Sequence, residues 1–462
     1  MARALLGKKV GVVGLGKSGL AAARVLVREG AIVSAADEKA ELGAVGEALA
    51  ALGVAVHAGP LDPGLFASQA LVVTSPGVPL SHPAFKAARG AGVPIIGELE
   101  LAAGLLTEPL LAITGTNGKS TTTALTGHLC ATAGLRTFTG GNLGQPLSEH
   151  VLEPAGDVPA CAASVPACAA SVSVVECSSF QLESIERFHP RGAAFLNLTP
   201  DHLDRYPDNA AYGAAKARIF MNQVAGDFAV VNAHDPEVMR LSEGIAATHY
   251  TFGRGAPVPF GIRDDGEHLV LRLSDDAAVE RYAIENRALR GAHNRENAMA
   301  AILLARTFGV PADAVRAGLH TFGGLAHRME SVRTLDGVEW VNDSKATNVE
   351  STVVALRAFE TGVVLIAGGH GKGAPYAPLV ALGPGRIRAV LTVGEDAPAI
   401  EQAFSGVVPV VTCRTLEVAV QRAHALARPG NTVLLSPACS SYDQFKNFEE
   451  RGARFAALVA KL

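Results

Sequence analysis

The sequence predicts an α/β protein of three domains, each a mainly parallel sheet covered by helices. Short apolar runs alternate with helix-patterned segments along all 462 residues, as in parallel strands joined by helical crossovers. Glycine-rich turns follow apolar runs at 14–19, 115–118 and 368–373, the strand–turn–helix order typical of such sheets. The length suffices for roughly three domains. With 48% hydrophobic and 18% charged residues, the chain has material for ample cores and no disordered charged tail.

The first unit, 1–97, opens with a strand at 9–13, the turn Gly14-Leu-Gly-Lys-Ser-Gly19 and a helix to about residue 28. A strand at 31–36 follows and ends at Asp37. Gly14, Gly16 and Gly19 fit G-x-G-x-x-G with an acid about twenty residues on, so this unit is Rossmann-like. Further strands are expected at 71–75 and 94–97. The turn Ser75-Pro76-Gly77 lies at a strand's carboxyl end, where ligands bind in these sheets.

The second unit, 98–325, begins with a helix near 98–106. The apolar run 110–114 then ends in Gly115-Thr116-Asn117-Gly118-Lys119-Ser120-Thr121, and a helix is expected to about 133. Strand, glycine turn and helix together make a phosphate cradle: inward amides, a helix N-terminus, a lysine and a hydroxyl. Two residues separate Gly115 from Gly118 where the common P-loop has four, so this is a shortened P-loop-type ATPase unit. Taken without its neighbours, the glycine pattern is equally an ordinary loop. Strands ending at Glu176 and spanning 193–198 and helices near 208–222 and 292–308 complete the unit. Gly323-Gly324 could form a hinge.

The third unit, 326–462, alternates again, with strands at 337–342, 363–368, 389–393, 407–411 and 432–436. It too reads as Rossmann-like. Residues 158–164 and 165–171 repeat one heptad, Val-Pro-Ala-Cys-Ala-Ala-Ser. The uncharged run 158–175 that holds them has a minimal membrane-spanning length, but its two prolines and small side chains favour a surface insertion leading into a strand at about Val172.

Charge and cysteines narrow the function. A net charge of −4 and 5% aromatic residues give no electrostatic or stacking signal for nucleic acid, nor one for a membrane surface. The six cysteines form no C-x-x-C pair, as a reducing cytosol predicts. The N-terminus lacks a signal-peptide apolar core, so a cytoplasmic protein is expected.

Polar groups recur at strand ends. Asn197-Leu-Thr-Pro-Asp-His-Leu-Asp-Arg-Tyr206 gathers Asp201, His202, Asp204 and Arg205, suited to metal or phosphate but also readable as a solvated loop. Glu176 is an acid beside the phosphate loop or simply a charge at a helix start. Lys216, in an Ala-rich helix, reads by default as a solvated lysine. Asn294 and Asn297 share one helix face, unless Asn294 is an N-cap. In the third unit come Ala326-His-Arg-Met-Glu330, Asn342-Asp-Ser-Lys-Ala-Thr-Asn348, Gly368-Gly-His-Gly-Lys-Gly373 and Ser436-Pro-Ala-Cys-Ser-Ser-Tyr-Asp-Gln-Phe445.

In these motifs, in this order over nearly its whole length, the chain resembles the Mur ligases of peptidoglycan synthesis. The first-domain glycine turn and Asp-Gln-Phe-Lys-Asn-Phe448 favour the member that adds D-glutamate to UDP-N-acetylmuramoyl-L-alanine. The heptad duplication and His370, where an acid is expected, depart from the family. The resemblance implies ATP held by Gly115, Thr116, Asn117, Gly118, Lys119, Ser120, Thr121, Asn294, Asn297, Arg328 and Asp343. It implies two Mg²⁺ sites built from Ser120, Glu176, His202 and a carbamylated Lys216, although Lys216 stands about one residue closer to the His202 loop than the family pattern. Lys119, His202, Lys216 and Glu176 would form the catalytic set. The UDP substrate would take Lys17, Ser18, Asp37, Ser75, Gly77, Asn142 and His202. D-Glutamate would take Lys345, Thr347, Lys372, Ser441 and Phe448. An acyl phosphate would form, then react with the amine of D-glutamate, in a monomer without nucleic-acid or membrane partners. The glycine fingerprint alone suggests a rival, an NAD-dependent oxidoreductase, which leaves the phosphate loop unexplained. Folylpolyglutamate synthase, a relative, lacks such a first domain, and a non-enzymatic nucleotide scaffold leaves the catalytic positions unexplained.

Overall fold

Three sheets organise the chain, as expected for an α/β protein. The computed structural model describes residues 5–153, 171–202, 205–255 and 259–462. The duplicated heptads, except for Ser171, and Asp204 lie outside the described residues. So do Cys161 and Cys168; the described cysteines, all buried, are free thiols.

The first sheet has five parallel strands, Lys9–Val13, Ile32–Asp37, Ala55–Ala58, Leu71–Thr74 and Ile95–Gly97, in the spatial order third, second, first, fourth, fifth. Its order reverses between the first and fourth strands, which pair Val13 with Thr74. The reversal opens a crevice at their carboxyl ends. Apolar side chains fill the two faces: Val10, Val12, Leu26 and Val73 in one cluster, Val13, Phe66, Val72 and Phe85 in the other. Strands covered on both sides need this composition. The sequence reading passed over Ala55–Ala58, an edge strand with little buried surface.

Nine strands make the second sheet. Leu110–Thr114, buried along its whole length, lies between Ser171–Glu176 and Gly192–Phe195. On the far side of Ser171–Glu176 the edge strand is Arg136–Gly141. In the other direction the parallel run continues through Phe228–Asn232, Thr248–Arg254 and Gly261–Asp264, then turns antiparallel at His268–Arg272 and Glu280–Ala283. The sequence reading assigned no strands over 228–283 and missed Arg136–Gly141. Helix Ala292–Phe308 matches its expected span. The stretch expected to be helical at 208–222 is shorter, Asn209–Ala217 followed by a 3-10 turn at Arg218–Phe220. Asp208 caps it, accepting from Ala211 N at 2.7 Å, the usual way to satisfy an orphan first-turn donor.

The third sheet runs Glu330–Leu335, Val338–Asn342, Thr432–Leu435, Val363–Gly368, Ile387–Val393, Val410–Arg414. Only the first pair is antiparallel among its pairings. By its contacts the chain divides into two compact units, Met1–Ala283 with Glu296–Leu319 and Ile284–Arg295 with His320–Leu462. The first two sheets belong to the first unit.

The helix Glu98–Ala103, which follows the first sheet, is bolted to the second sheet's surroundings by its acids. Glu100 is 3% exposed, and its carboxylate accepts from the backbone N–H of Glu186, Arg187 and Phe188, each at 2.9 Å. Glu98, also buried, accepts from Ser148 N at 2.7 Å. Its burial raises the pKa, the hydrogen bonds from Ser148 opposing that.

Candidate active site

The loop between Leu110–Thr114 and helix Lys119–Thr132 is fixed by its neighbours. Gly118 sits at φ 83°, a left-handed conformation that favours glycine, and a Cβ there would collide with Asn297 Oδ1. Asn117 N donates to Asn197 Oδ1 at 2.8 Å, and Asn197 Nδ2 returns a bond to Asn117 O at 3.1 Å. Thr116 Oγ1 donates to Thr199 O and accepts from Thr199 N, both at 3.1 Å. The helix therefore presents its first-turn amides, with Ser120 and Thr121 buried beside them. Lys119 Nζ donates to Gly115 O at 2.9 Å and Thr116 O at 2.8 Å, folded along the loop.

Lys216 meets the same carbonyl. Its Nζ donates to Gly115 O at 2.8 Å and lies 4.6 Å from the Tyr212 ring centroid. The side chain is 1% exposed, which corrects the solvated-lysine default: the helix turns this residue inward, over a tyrosine one turn earlier. Burial, with the Lys119 ammonium second, lowers its pKa to about 7, while Asp201 and Glu176 oppose the fall. Half of such a lysine is neutral near pH 7.

Glu176 ends its strand 3% exposed. Asn142 Nδ2 donates to Glu176 Oε1 at 2.7 Å, whereas the buried Oε2 has no hydrogen-bond partner. An orphaned carboxylate oxygen in the interior is costly unless a cation or donor meets it. His202 stands at φ 54° with its side chain 44% exposed. Its ring contacts Phe180 at 4.9 Å and Tyr212 at 6.0 Å between centroids.

At the crevice of the first sheet, Ser75 Oγ donates to Gly14 O at 2.6 Å, joining the glycine turn to the Ser75-Pro76-Gly77 turn. Asp37 spends one oxygen on Leu15 N at 2.6 Å and the other on Lys39 N at 3.0 Å, so it shapes the loops around it. Lys17 is exposed and Ser18 half-buried, at the start of helix Lys17–Arg28; Gly77 is exposed too. A cleft of about 630 Å³ opens beside Asp37, lined by Ala36, Val56, His57, Asp62 and Leu65 among others. Lys17, Ser18, Asp37, Ser75, Gly77 and Asn142 are not among its lining residues.

The second compact unit carries its own cluster at strand ends. Asp343 is buried, accepts from Ser436 Oγ at 2.8 Å and Met329 N at 3.2 Å, and has its pKa raised to about 7 by burial. Lys345 Nζ lies 5.7 Å from the Phe448 ring centroid. Ser441 is buried, Thr347 half-buried and Lys372 exposed. Sequence reasoning missed Arg451, 2% exposed, whose guanidinium ties together the loops bearing Lys345 and Ser441. It donates to Ser344 Oγ at 3.0 Å, Ser344 O at 2.9 Å and Cys439 O at 3.2 Å. Burial pulls its pKa down to about 10. His370, exposed, pairs with Glu395 at 2.8 Å, and that contact raises its pKa. Asn294 does not cap its helix: it is the third residue of Ala292–Phe308, and its Nδ2 donates back to Arg290 O at 3.1 Å.

Family models match this arrangement along the chain. The Mur ligase MurD-like N-terminal domain matches residues 8–97, the Mur ligase middle domain 113–305, and the Mur ligase glutamate ligase domain 327–439. The chain belongs to the Mur ligase family. It is 57% identical over 470 aligned residues, spanning 100% of both chains, to the UDP-N-acetylmuramoylalanine--D-glutamate ligase of Myxococcus xanthus. Against the enzyme of that name from Anaeromyxobacter dehalogenans it is 55% identical, over 99% of this chain and 98% of the other. Two solved Mur ligases from Thermotoga maritima share the fold. MurF in complex with ADP has a TM-score of 0.59 at 15% identity, over 100% of this chain and 97% of that one. UDP-N-acetylmuramate–alanine ligase MurC has 0.58 at 18%, over 98% and 99%.

In this Mur ligase the first unit brings Lys119 and Lys216 each onto Gly115 O, Asn142 onto Glu176, and Asn297 onto Gly118 and Thr122. Thr122 Oγ1 lies 3.4 Å from Asn297 Oδ1. Among the described residues no preassembled group of three His, Cys, Asp or Glu side chains forms a metal cage. Tyr212 was not singled out in the sequence, and Asn197 and Thr199 only as members of the 197–206 motif, without a role. The spacing of Tyr212 to Lys216, one helical turn, was the signal that could have found the first.

Proposed function

We propose that this chain joins D-glutamate to UDP-N-acetylmuramoyl-L-alanine with ATP, as an ADP-forming acid–amino-acid ligase of peptidoglycan precursor synthesis. The observation that carries the reading is the 57% identity, end to end, with a ligase of that name. A phosphate loop with the right side chains around it supports the chemistry. The L-alanyl carboxylate attacks the γ-phosphorus of ATP, ADP leaves, and an acyl phosphate results. The D-glutamate amine then attacks the acyl carbon, losing a proton as phosphate departs. Loop amides and Lys119 stabilise charge on the transferring group.

The donor set fits Mg²⁺. Glu176 Oε2 is a buried oxygen without a partner, and Ser120, His202 and a carbamylated Lys216 supply further hard or borderline ligands. A site short of carboxylates suits Mg²⁺, which is commonly held by one or two of them together with substrate phosphates. When bound, the ion neutralises phosphate charge. Carbamylation adds CO₂ to the neutral Lys216 amine, forming an N–C bond and releasing one proton. The pKa near 7 supplies that amine.

In the same reading Lys17, Ser18, Asp37, Ser75, Gly77 and Asn142 serve the UDP substrate. Asn294, Arg328 and Asp343 serve the nucleotide. Lys345, Thr347, Lys372, Ser441 and Phe448 serve D-glutamate, whose two carboxylates need cations and hydroxyls. The protein acts as a cytoplasmic monomer with domains 1–97, 98–325 and 326–462; among the described residues no helix is long and apolar enough to cross a membrane.

The deciding experiment measures phosphate release with ATP, UDP-N-acetylmuramoyl-L-alanine and a panel of amino acids. Release is expected with D-glutamate alone among them. Preference for L-alanine or a diamino acid would overturn the substrate assignment, and Lys345→Ala or Lys372→Ala should raise the D-glutamate KM far more than the ATP KM.

A further inference from the structure

Arg205 stands where three parts of the first unit meet. Its Nη1 donates to Pro76 O at 3.0 Å, in the turn that closes the fourth strand of the first sheet. Its Nη2 donates to Glu183 Oε2 at 2.9 Å, at the end of the short helix Ser179–Leu182 that follows Glu176. The guanidinium carbon lies 4.1 Å from the Phe180 ring centroid. Arg205 and Glu183 are only 16% and 19% exposed in their side chains, so solvent does not dilute the fork. Both ends of this arrangement lead to site residues. Pro76 follows Ser75, whose hydroxyl holds Gly14 O at 2.6 Å. Phe180 packs edge-on against the His202 ring, and Arg205 N donates to His202 O at 3.0 Å.

From this geometry we infer that Arg205 is a positioning residue, linking the Ser75-Pro76-Gly77 turn to His202. A planar fork with fixed donor directions can hold a carbonyl and a carboxylate while its face lies on an aromatic ring; a lysine, with one compact charge, cannot do all three. Displacement of the turn by a ligand in the first-sheet crevice is thus transmitted to the His202 ring through Arg205 and Phe180. The inference rests on the ligase reading, in which the turn serves the UDP substrate and His202 the reacting end.

The test compares wild type, Arg205→Lys, Arg205→Met and Glu183→Gln by melting temperature and by steady-state kinetics in each substrate. Arg205→Met should raise the KM for UDP-N-acetylmuramoyl-L-alanine at least fivefold and lower kcat about tenfold, leaving the ATP KM within twofold. Arg205→Lys should recover less than half of that loss. Glu183→Gln, which keeps the Pro76 bond, should shift the same two constants in the same direction by a smaller factor, and it stands as the test if Arg205→Met does not fold. A purely structural residue would lower the melting temperature and the active fraction while leaving every KM unchanged; that result would overturn the inference. Wild type without D-glutamate-dependent phosphate release would overturn the ligase reading and this inference with it, whereas active wild type with unaltered variants would overturn the inference alone.

Discussion

Asn142 Nδ2 holds one oxygen of Glu176 at 2.7 Å and leaves the other buried with no partner. The amide therefore orients the carboxylate, and the second oxygen is the one available to a cation. Groups that orient a metal ligand from behind commonly contribute 10–100-fold to affinity or activity. Asn142→Ala should lower kcat by about that factor and raise the Mg²⁺ concentration for half-maximal rate. A Mg²⁺ titration of the variant identical to that of wild type would show that Asn142 does not act through Glu176.

Lys119→Ala removes a cation next to the phosphate loop from a partly exposed position. The fold should survive, and kcat should fall by about two orders of magnitude or more, the scale for one preorganised stabilising group. Turnover near that of wild type would remove Lys119 from the catalytic set.

The depressed pKa of Lys216 has a signature in stability. Between about 7, its folded value, and the ordinary lysine value near 10.4, the unfolded chain binds more protons than the folded one. Stability from this group therefore rises with pH across that window, and below pH 7 both states are protonated and the burial penalty is fully present. Lys216→Met removes the titration. Its melting temperature relative to wild type should be most favourable at pH 6 and lose roughly half of that advantage by pH 9. A constant difference across the range would mean the amine is not desolvated in solution.

Gly118→Ala tests the loop's shape. A side chain at φ 83° costs about 1–2 kcal/mol, and here it also displaces Asn297 Oδ1. Loss of stability of that size, with weakened ATP binding by calorimetry, is expected. A variant as stable as wild type would show that the loop relaxes freely.

Arg451→Met should be more damaging to stability. It leaves the Ser344 and Cys439 carbonyls buried without their donor, at about 1–3 kcal/mol for each unsatisfied group. Denaturant unfolding should show a loss of about 2 kcal/mol or more, and the KM for D-glutamate should rise because Arg451 anchors the loops of Lys345 and Ser441.

The central strands of the first sheet and the phosphate loop were legible because local sequence and tertiary role agree there: apolar runs covered on both faces, then glycines at turns; the exposed edge strand Ala55–Ala58 was not. The stretch 228–283 was not. Strands such as Glu280–Ala283, mostly exposed or half-buried along its length, carry too little apolar pattern to declare themselves, and their pairing is set by distant neighbours. Lys216 shows the same limit at a single side chain. An Ala-rich helix says nothing of which face is covered; only the packing around Tyr212 does. Arg451 sits in an ordinary charged helix, Phe448–Val459, and its role comes from carbonyls of segments far away in sequence. The hydrogen bonds of Asp37 likewise depend on how the Leu15 and Lys39 loops fold back.

The carboxylate of Glu100 meets three consecutive amides, those of Glu186, Arg187 and Phe188, and this sets a limit on modularity. A chain whose N-terminal sheet hung from a flexible linker could exchange that sheet for another by splicing anywhere between the sheets. Here a splice at residue 97 keeps Glu100 with its amides, whereas one placed after the helix Glu98–Ala103 would have to bring an acid at the same helical position, or leave three amides dehydrated and unanswered. A chimera lacking that acid would lose the seam before it lost either sheet, and hydrogen exchange at residues 186–188 would be the first place to record it.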